Sequence, residues 1–512
     1  MLAGGAMGAG VLVVAIVAVA GLLAPATAAV PAAATTAAVT TIDGYARDGY
    51  RPLGVAEADL PYRDEAPAPR YDSGPHDEDG VRLFLWQGQL YDHPVAQAGY
   101  GFDNLVSYRN TGDRFFLDRA IAQARRNLDR RVVSRDAWWY PYPFEFSRCD
   151  GGTIQAPWYS AMAQGQLLSL FVWLYELTGD PEWRLAADRT FASLDLAPQL
   201  GVPWVSWVDP SGQLWLEEYP TSGTVQGERV FNGQILALFG VYDYWRITRA
   251  PAAVALFDGA ATTMRRYVPT DQRLPQWLSR YSIGCPYSYA NYHPLHVTLL
   301  LKLYSSTGAP VFARYADLLR DDYPPPAVAG TVRFAPGTHV GYRFDPAGRV
   351  VEQRSVVLSR ISSAAADQRI RVYGRGIHYR MTNGVFAGYL VAEAYGEREL
   401  LGVTARHDYT PSRLLTVQAG SYTGYRYDGS GQVVGERTVI FSRPSTAPVG
   451  ASAWIDGRLC YLPTAGAFAG YWLPHTPGVA VAGTPGPTPE ATGVTGSAAA
   501  TTVRQRPGSG AA

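Results

Sequence analysis

One punctuation mark recurs along the first two thirds of the chain and limits the folds open to it. It reads Tyr108-Arg109-Asn110-Thr111-Gly112-Asp113, then Tyr175-Glu176-Leu177-Thr178-Gly179-Asp180. A weaker copy is Trp245-Arg246-Ile247-Thr248-Arg249, and a fourth is Tyr304-Ser305-Ser306-Thr307-Gly308. Each copy follows an apolar helical run and precedes another amphipathic one. A Thr-Gly pair suits a helix C-terminus, because glycine accepts the left-handed conformation that ends a helix. The Asp, or a Pro one or two residues on, suits the start of the next helix. Copies about 60–70 residues apart leave room for two helices and a long loop. The expected fold class is therefore a mainly α domain over 81–325, an incomplete α/α toroid of αα-hairpins whose long loops line one end as the site.

From about 330 the rhythm changes to β. His339-Val340-Gly341-Tyr342-Arg343-Phe344-Asp345 recurs as Tyr422-Thr423-Gly424-Tyr425-Arg426-Tyr427-Asp428, and Val385-Phe386-Ala387-Gly388-Tyr389 as Ala467-Phe468-Ala469-Gly470-Tyr471. Alternating β-branched residues and Gly-containing turns mark hairpins. Two small repeated all-β modules are expected, at 330–405 and 406–475. Their aromatics serve packing in one reading and glycan or cell-surface binding in another.

The flanks are different in kind. Val11 to Leu23 is an apolar run followed by Ala26-Thr27-Ala28, so 1–29 reads as a signal peptide or an N-terminal anchor and the protein as secreted or on the cell surface. Residues 30–80 read as an extended acidic arm, and the Gly/Pro/Ala/Thr-rich 476–512 as a disordered tail.

The 44 basic and 44 acidic residues cancel among 512. That balance excludes a uniformly basic nucleic-acid binder. The cancellation hides a gradient. Residues 1–80 hold 10 acids and 4 bases, 81–323 hold 23 and 22, and 324–512 hold 11 and 18. If the chain grips an anionic polymer electrostatically, the β modules carry the charge for it. Three cysteines, Cys149, Cys285 and Cys460, are too few for a disulfide framework and lack zinc-ligand spacing. One bridge, Cys149–Cys285, and three inert thiols both remain open.

The densest polar and aromatic cluster lies in the long loops of the helical region. It includes Trp158-Tyr159-Ser160-Ala161-Met162-Ala163-Gln164-Gly165, Glu217-Glu218-Tyr219-Pro220, Phe231-Asn232-Gly233, and Arg280-Tyr281 through Tyr292-His293-Pro294-Leu295-His296. In that order these motifs resemble the C-terminal catalytic domain of D-glucuronyl C5-epimerases. The resemblance covers about 150–330 well. It extends loosely to Ala98-Gly99-Tyr100-Gly101, where the family has a site tyrosine. It differs where Tyr281 is followed by Ser282-Ile283 and where Ala290-Asn291 precedes Tyr292. The resemblance implies an α/α toroid that inverts the carboxylate-bearing carbon of uronic acid residues within a polysaccharide.

That inversion removes a proton beside a carboxylate and returns one from the opposite face. It needs two acid/base groups and donors for the carboxylate. The resemblance makes Glu218, Tyr219 and Tyr292 the proton-transfer groups, Tyr281 their support, and Tyr100 a looser match. Arg280, Asn232, His293 and His296 become carboxylate or hydroxyl contacts, with Tyr159 and Gln164 alongside. Gln164 and Asn232 could equally cap loops. His293 and His296 lack a third ligand, so no metal and no cofactor is expected. The expected partner is a uronic-acid polysaccharide and not a nucleic acid, with room left for a homodimer. Three competing readings are a polysaccharide lyase, an inverting glycoside hydrolase and a glycan-binding protein with an inactive toroid.

Overall fold

The computed structural model describes residues 40–149, 151–221, 223–285, 287–324, 327–345, 348–429 and 431–481. The expected export segment, the start of the arm and all but the first residues of the expected tail lie outside the described residues.

Among the described residues, eight α-helices form four consecutive hairpins. They are α1 (Pro94–Thr111) with α2 (Arg114–Arg130), α3 (Ala161–Thr178) with α4 (Pro181–Leu194), α5 (Phe231–Thr248) with α6 (Pro251–Tyr267), and α7 (Tyr292–Thr307) with α8 (Pro310–Asp322). The Thr-Gly step builds each corner. Gly112, Gly179 and Gly308 are left-handed at φ of 71°, 68° and 65°. Arg249 takes the same role in the weaker copy at φ 57°. The preceding threonine hydroxyl donates to the carbonyl four residues back, as Thr111 does to Ser107 at 2.7 Å. It also accepts the N–H two residues on, from Asp113, Asp180, Ala250 and Ala309. Asp113 and Asp180 then cap the next helices through Phe115 N–H and Glu182 N–H.

The odd-numbered helices form an inner layer, α1 on α3, α3 on α5 and α5 on α7, each backed by its hairpin partner. Burial follows this order. α3 is buried without a break from Ala161 to Leu174, whereas α2 buries only a stripe that includes Leu117, Ala120, Ala124 and Leu128. α3 and α5 approach unusually closely, since a Cβ on Gly165 would fall 2.4 Å from the Ala237 Cα.

The described part of the acidic segment is packed into the molecule. It runs past the C-terminal ends of the inner helices. Leu53 N–H donates to Ser306, and Tyr242 donates to the Leu53 carbonyl. Asp258 accepts the N–H groups of Asp48, Gly49 and Tyr50. The arm then inserts Tyr62, 2% exposed, among the inner helices. The ring stacks on Phe102 at 4.2 Å and meets Trp173 and Phe239 edge-on, while its hydroxyl donates to Leu236 at 3.1 Å. Tyr62→Ala is therefore expected to cost about 3–5 kcal/mol, read as a lower denaturant midpoint. A loss under about 1 kcal/mol would show that the arm merely rests on the helices.

At the opposite, N-terminal end of the inner helices, short hairpins fill the long loops. They are β1 (Leu83–Trp86) with β2 (Gln89–Asp92), β3 (Val132–Ser134) with β4 (Ala137–Trp139), β5 (Phe146–Ser147) with β6 (Thr153–Ile154), and β7 (Ser206–Val208) with β8 (Leu214–Leu216).

After α8 the chain is all β. The first sheet has strands β9 (Ala327–Phe334), β10 (Gly337–Phe344), β11 (Val350–Leu358), β12 (Ser362–Val372), β13 (Gly376–Met381), β14 (Leu390–Ala392) and β15 (Arg398–Leu400), in the order β11-β10-β14-β13-β12-β9-β15. Next come β16 (Val403–Val417), a hairpin of β17 (Gly420–Tyr427) and β18 (Val433–Phe441), then β19 (Ser445–Ile455), β20 (Arg458–Pro463), β21 (Leu473–Pro474) and β22 (Val479–Val481). The second sheet is ordered β21-β20-β19-β16-β22. Gly341 faces Arg354 across β10 and β11, and Gly424 faces Arg437 across β17 and β18. Two boundaries differ from expectation. β16 begins before 406, and β22 pairs with β16 through buried Val479 and Val481, so strand structure continues past 475.

β16 is locked to α8 by buried charge. Asp317, 2% exposed, accepts from Arg413 at 2.5 Å, from Tyr409 at 2.9 Å and from His407 at 3.1 Å. Arg320 reaches Ser452 at 2.8 Å, and Trp454 donates to Asp321 at 3.1 Å.

Candidate active site

Three loop segments and four helix N-termini converge at the hairpin-filled end. β8 runs directly into Glu217, Glu218 and Tyr219. The chain bends at Glu218, and the two glutamates part there: Glu217 lies against Gly227 and Glu218 against Gly233. Glu217 accepts from the Trp207 indole at 2.5 Å and from Arg229 N–H at 3.0 Å. Burial raises it to about 7, and its carboxyl is committed to holding loops together.

Glu218 turns the other way. It is 2% exposed, and burial pushes its carboxyl up to about 8. Its Oε1 accepts from the Tyr281 hydroxyl at 3.3 Å, and that hydroxyl lies 3.3 Å from the Tyr219 hydroxyl. Its Oε2 lies against the first turn of α5 and has no hydrogen-bond partner among the described residues. Gly233 makes this approach feasible, because a Cβ there would meet Oε2 at 2.4 Å. Tyr292, the first residue of α7, packs edge-on against Tyr281 at 4.7 Å and is only partly buried. Glu218, Tyr219, Tyr281 and Tyr292 thus form one contiguous string from a buried carboxyl to an accessible phenol. Burial holds all three phenols above their ordinary range, with the Glu218 charge adding to it.

The remaining expected residues divide. Asn232 belongs to the site end. It is buried beside Gly233, and its Oδ1 has no partner among the described residues. Arg280 precedes Tyr281 and is half-buried, with no ion pair or side-chain hydrogen bond among the described residues. His296 is fully buried, shares Ser279 Oγ at 2.8 Å and lies 6.3 Å from the Tyr292 ring. Burial drives it down to about 3, so it is neutral.

Two expected substrate contacts are internal braces instead. His293 accepts the Ser279 N–H at Nδ1 and donates from Nε2 to Leu319, both nitrogens being spent inside the fold. Gln164 accepts the Tyr140 N–H and donates to Trp138 and Ser193. Two more lie apart. Tyr100 packs with Phe116 and Ala68, lies under the Arg82 guanidinium and accepts from Arg119 at 2.9 Å. Tyr159 meets Trp139 edge-on within the main core.

Other groups join the site that the motifs did not single out. Tyr142 stacks on Trp158 at 3.8 Å, Phe146 stacks on Tyr219 at 4.7 Å, and His93, Phe84 and Phe144 continue the wall. Tyr289, 40% exposed, lies 5.8 Å from Tyr281 and 5.9 Å from Tyr292 at the mouth. The run Trp138-Trp139-Tyr140-Pro141-Tyr142-Pro143-Phe144-Glu145-Phe146 is the signal that could have located this wall.

A disulfide joins Cys149 to Cys285, so the β5–β6 hairpin is fastened to the segment carrying Tyr281. Among the described residues, the potential metal-ligating group is Cys149, Glu228 and Cys285, whose sulfurs are bonded to each other. Cys460 is buried and free. Closing so long a loop contributes about 2–4 kcal/mol. Cys149→Ser/Cys285→Ser is expected to lower stability by that amount. An unchanged unfolding midpoint under reducing conditions would exclude a structural role for the bridge.

Among solved structures, the chain is similar to a glycoside hydrolase family 76 mannosidase, Bt3792, from Bacteroides thetaiotaomicron. The identity is 15%, over 48% of this chain and 60% of that one, with a TM-score of 0.29. It is similar to a D-mannose isomerase at 15% identity, over 48% and 64%, with a TM-score of 0.35. It is similar to an unsaturated glucuronyl hydrolase from Streptococcus agalactiae at 15% identity, over 44% and 56%, with a TM-score of 0.29. The chain thus spans less than two thirds of each. Residues 135–320, which carry Glu218, Tyr219, Tyr281 and Tyr292, match the family described as D-glucuronyl C5-epimerase C-terminus.

Proposed function

We propose that the protein is a carbohydrate epimerase that inverts the carboxylate-bearing carbon of glucuronic acid residues in a polysaccharide. The observation that carries this reading is the string Glu218–Tyr281–Tyr219 with Tyr292 packed beside it. Tyr219 and Tyr292 flank Tyr281 and are the pair proposed to serve the two faces of the sugar ring. Tyr281 and Glu218 stand behind them as a shared proton store. When a phenol takes the substrate proton, its own proton passes through Tyr281 to the Glu218 carboxylate. Reversal from the other phenol delivers a proton to the opposite face. Arg280 and Asn232 are the proposed donors to the substrate carboxylate.

A hydrolase needs two carboxyl groups flanking one bond, and Glu217 is spent on Trp207 and Arg229. A lyase would use the same proton abstraction and then eliminate. Incubation with a glucuronate polymer separates the two, since elimination leaves an unsaturated uronate that absorbs in the ultraviolet. We further propose that the two β units are copies of one module and that the protein is exported, in keeping with its disulfide.

The proton store sets a pH dependence. Only ionised Glu218 can accept a proton, and its pKa is raised to about 8. Exchange is expected to rise about tenfold per pH unit below that value and to level off above it. Because burial raises this pKa above the ordinary 4.5, the stability linked to protonated Glu218 is present at low pH and lost as pH climbs through about 8. A rate that is flat from pH 6 to 9 would remove Glu218 as the store.

A further inference from the structure

The β10–β11 and β17–β18 hairpins carry the same side-chain cluster, with one difference that changes its charge. In the first, Tyr389 lies under Arg343 at 4.5 Å and Arg354 at 5.7 Å. Glu352, paired across the strands with Arg343, bonds its guanidinium at 2.8 Å and accepts from the Tyr389 hydroxyl. In the second, Tyr471 lies under Arg426 at 4.2 Å and Arg437 at 4.4 Å. The position across from Arg426 is Gly435. A Cβ there would make ordinary van der Waals contact with Arg426 at 3.8 Å, so a side chain fits at this position and glycine leaves out the carboxylate that Glu352 supplies in the first hairpin.

Arg426 and Arg437 form no ion pair among the described residues. Their polar contacts are weaker acceptors, the Gly470 carbonyl at 3.4 Å and the Ala467 carbonyl at 2.9 Å. Glu436 does not substitute, because neighbouring strand residues face opposite sides. Asp428 is held in the turn, where it accepts from Gln432. Gly424 and Gly435 lie on the same ladder face as the two arginines; at Gly424 the absent side chain lets Phe468 and Tyr471 pack onto the strand, since a Cβ there would meet Phe468 at 2.8 Å. Next to it opens an apolar cleft of about 220 Å³ lined by Phe441, Phe468, Ala467 and Pro463.

We propose that Arg426, Arg437 and Tyr471 form a second glycan site. It takes a carboxylate-bearing sugar of an anionic polysaccharide, while Glu352 closes the equivalent place on the first module. Two guanidiniums offer planar donor forks to a carboxylate. The neighbouring aromatic cleft suits the apolar face of a sugar ring. The choice of a uronate polymer as ligand rests on the proposed function, and the site would hold that polymer while the toroid acts on it.

The test is binding of the full chain to immobilised heparosan, a glucuronate polymer, and to its carboxyl-reduced form at low and high salt. Deuterium incorporation into a short uronate oligosaccharide is measured in parallel. Arg426→Ala/Arg437→Ala is expected to weaken heparosan binding about tenfold or more at low salt. Gly435→Glu, which keeps both arginines, should weaken it as well, and Glu352→Gly should strengthen it. Binding of the reduced polymer and exchange into the oligosaccharide should be unchanged. Unchanged heparosan affinity in the double variant and in Gly435→Glu overturns the site, whatever the exchange result. An equal loss on the reduced polymer also overturns it. Loss confined to heparosan supports the site even if no exchange is seen, in which case the proposed function alone fails.

Discussion

Glu218→Gln is expected to lower the exchange of the uronate C5 proton by on the order of 10²–10⁴-fold. Glutamine keeps the shape of the carboxyl and can still accept from Tyr281, so the packing against Gly233 persists. What it removes is the capacity to take up and release a proton. Tyr292→Phe should cost about 10²-fold, because it removes one hydroxyl from a partly exposed ring and leaves the store intact. The pH profile separates the two roles. The phenylalanine variant should keep the rising limb below about pH 8 that Glu218 imposes, and the glutamine variant should lose it. A glutamine variant that retains both rate and limb would show Glu218 to be a structural carboxyl like Glu217.

Asp317→Ala is expected to cost about 3–5 kcal/mol of stability, the largest loss of any single substitution at the join between helices and strands. The residue is an acceptor for Arg413, Tyr409 and His407 at once and also pairs with Arg320 at 3.6 Å, and its removal deprives the two buried guanidiniums of that carboxylate. The His407 hydrogen bond and the Arg320 and Arg413 charges hold the Asp317 carboxyl far below the ordinary carboxylate range despite its burial. Its stabilisation is therefore present at all pH values above the ordinary 3.8 and is lost only in strong acid. His407 acts earlier on the pH scale. Burial lowers it from 6.5 to about 4, so the stability linked to its neutral form falls as pH drops between those values. A denaturant midpoint for Asp317→Ala within about 1 kcal/mol of the parent would show that the β units are not held through this residue.

What the sequence made legible was local and periodic. The Thr-Gly corners specified four hairpins because each works through its own backbone bonds, and the third survived the loss of glycine at Arg249. Glu218, Tyr219, Tyr281 and Tyr292 were named only through the resemblance to the epimerase family, and it is the fold that brings the four side chains together. Residues whose fate depends on distant partners were not legible. His293 and Gln164 look like ligands beside site motifs, yet Leu319 and Ser193 claim their polar atoms. Glu217 and Glu218 are indistinguishable in sequence, and only the direction each faces after β8 separates brace from acid. Tyr62 sits in a stretch without apolar periodicity, and its burial depends on helices 40 to 180 residues away. The unlike charge of the two β hairpins reduces to Glu352 against Gly435, visible only once the strand registers are known.

The most direct test of the account is to incubate the full chain with a glucuronate polymer in D₂O and follow deuterium at C5 together with chain length and ultraviolet absorbance. The account predicts deuterium incorporation with inverted residues, no shortening and no unsaturated uronate. Absorbance from an unsaturated uronate, new reducing ends, or a polymer that is bound but takes up no deuterium would contradict it.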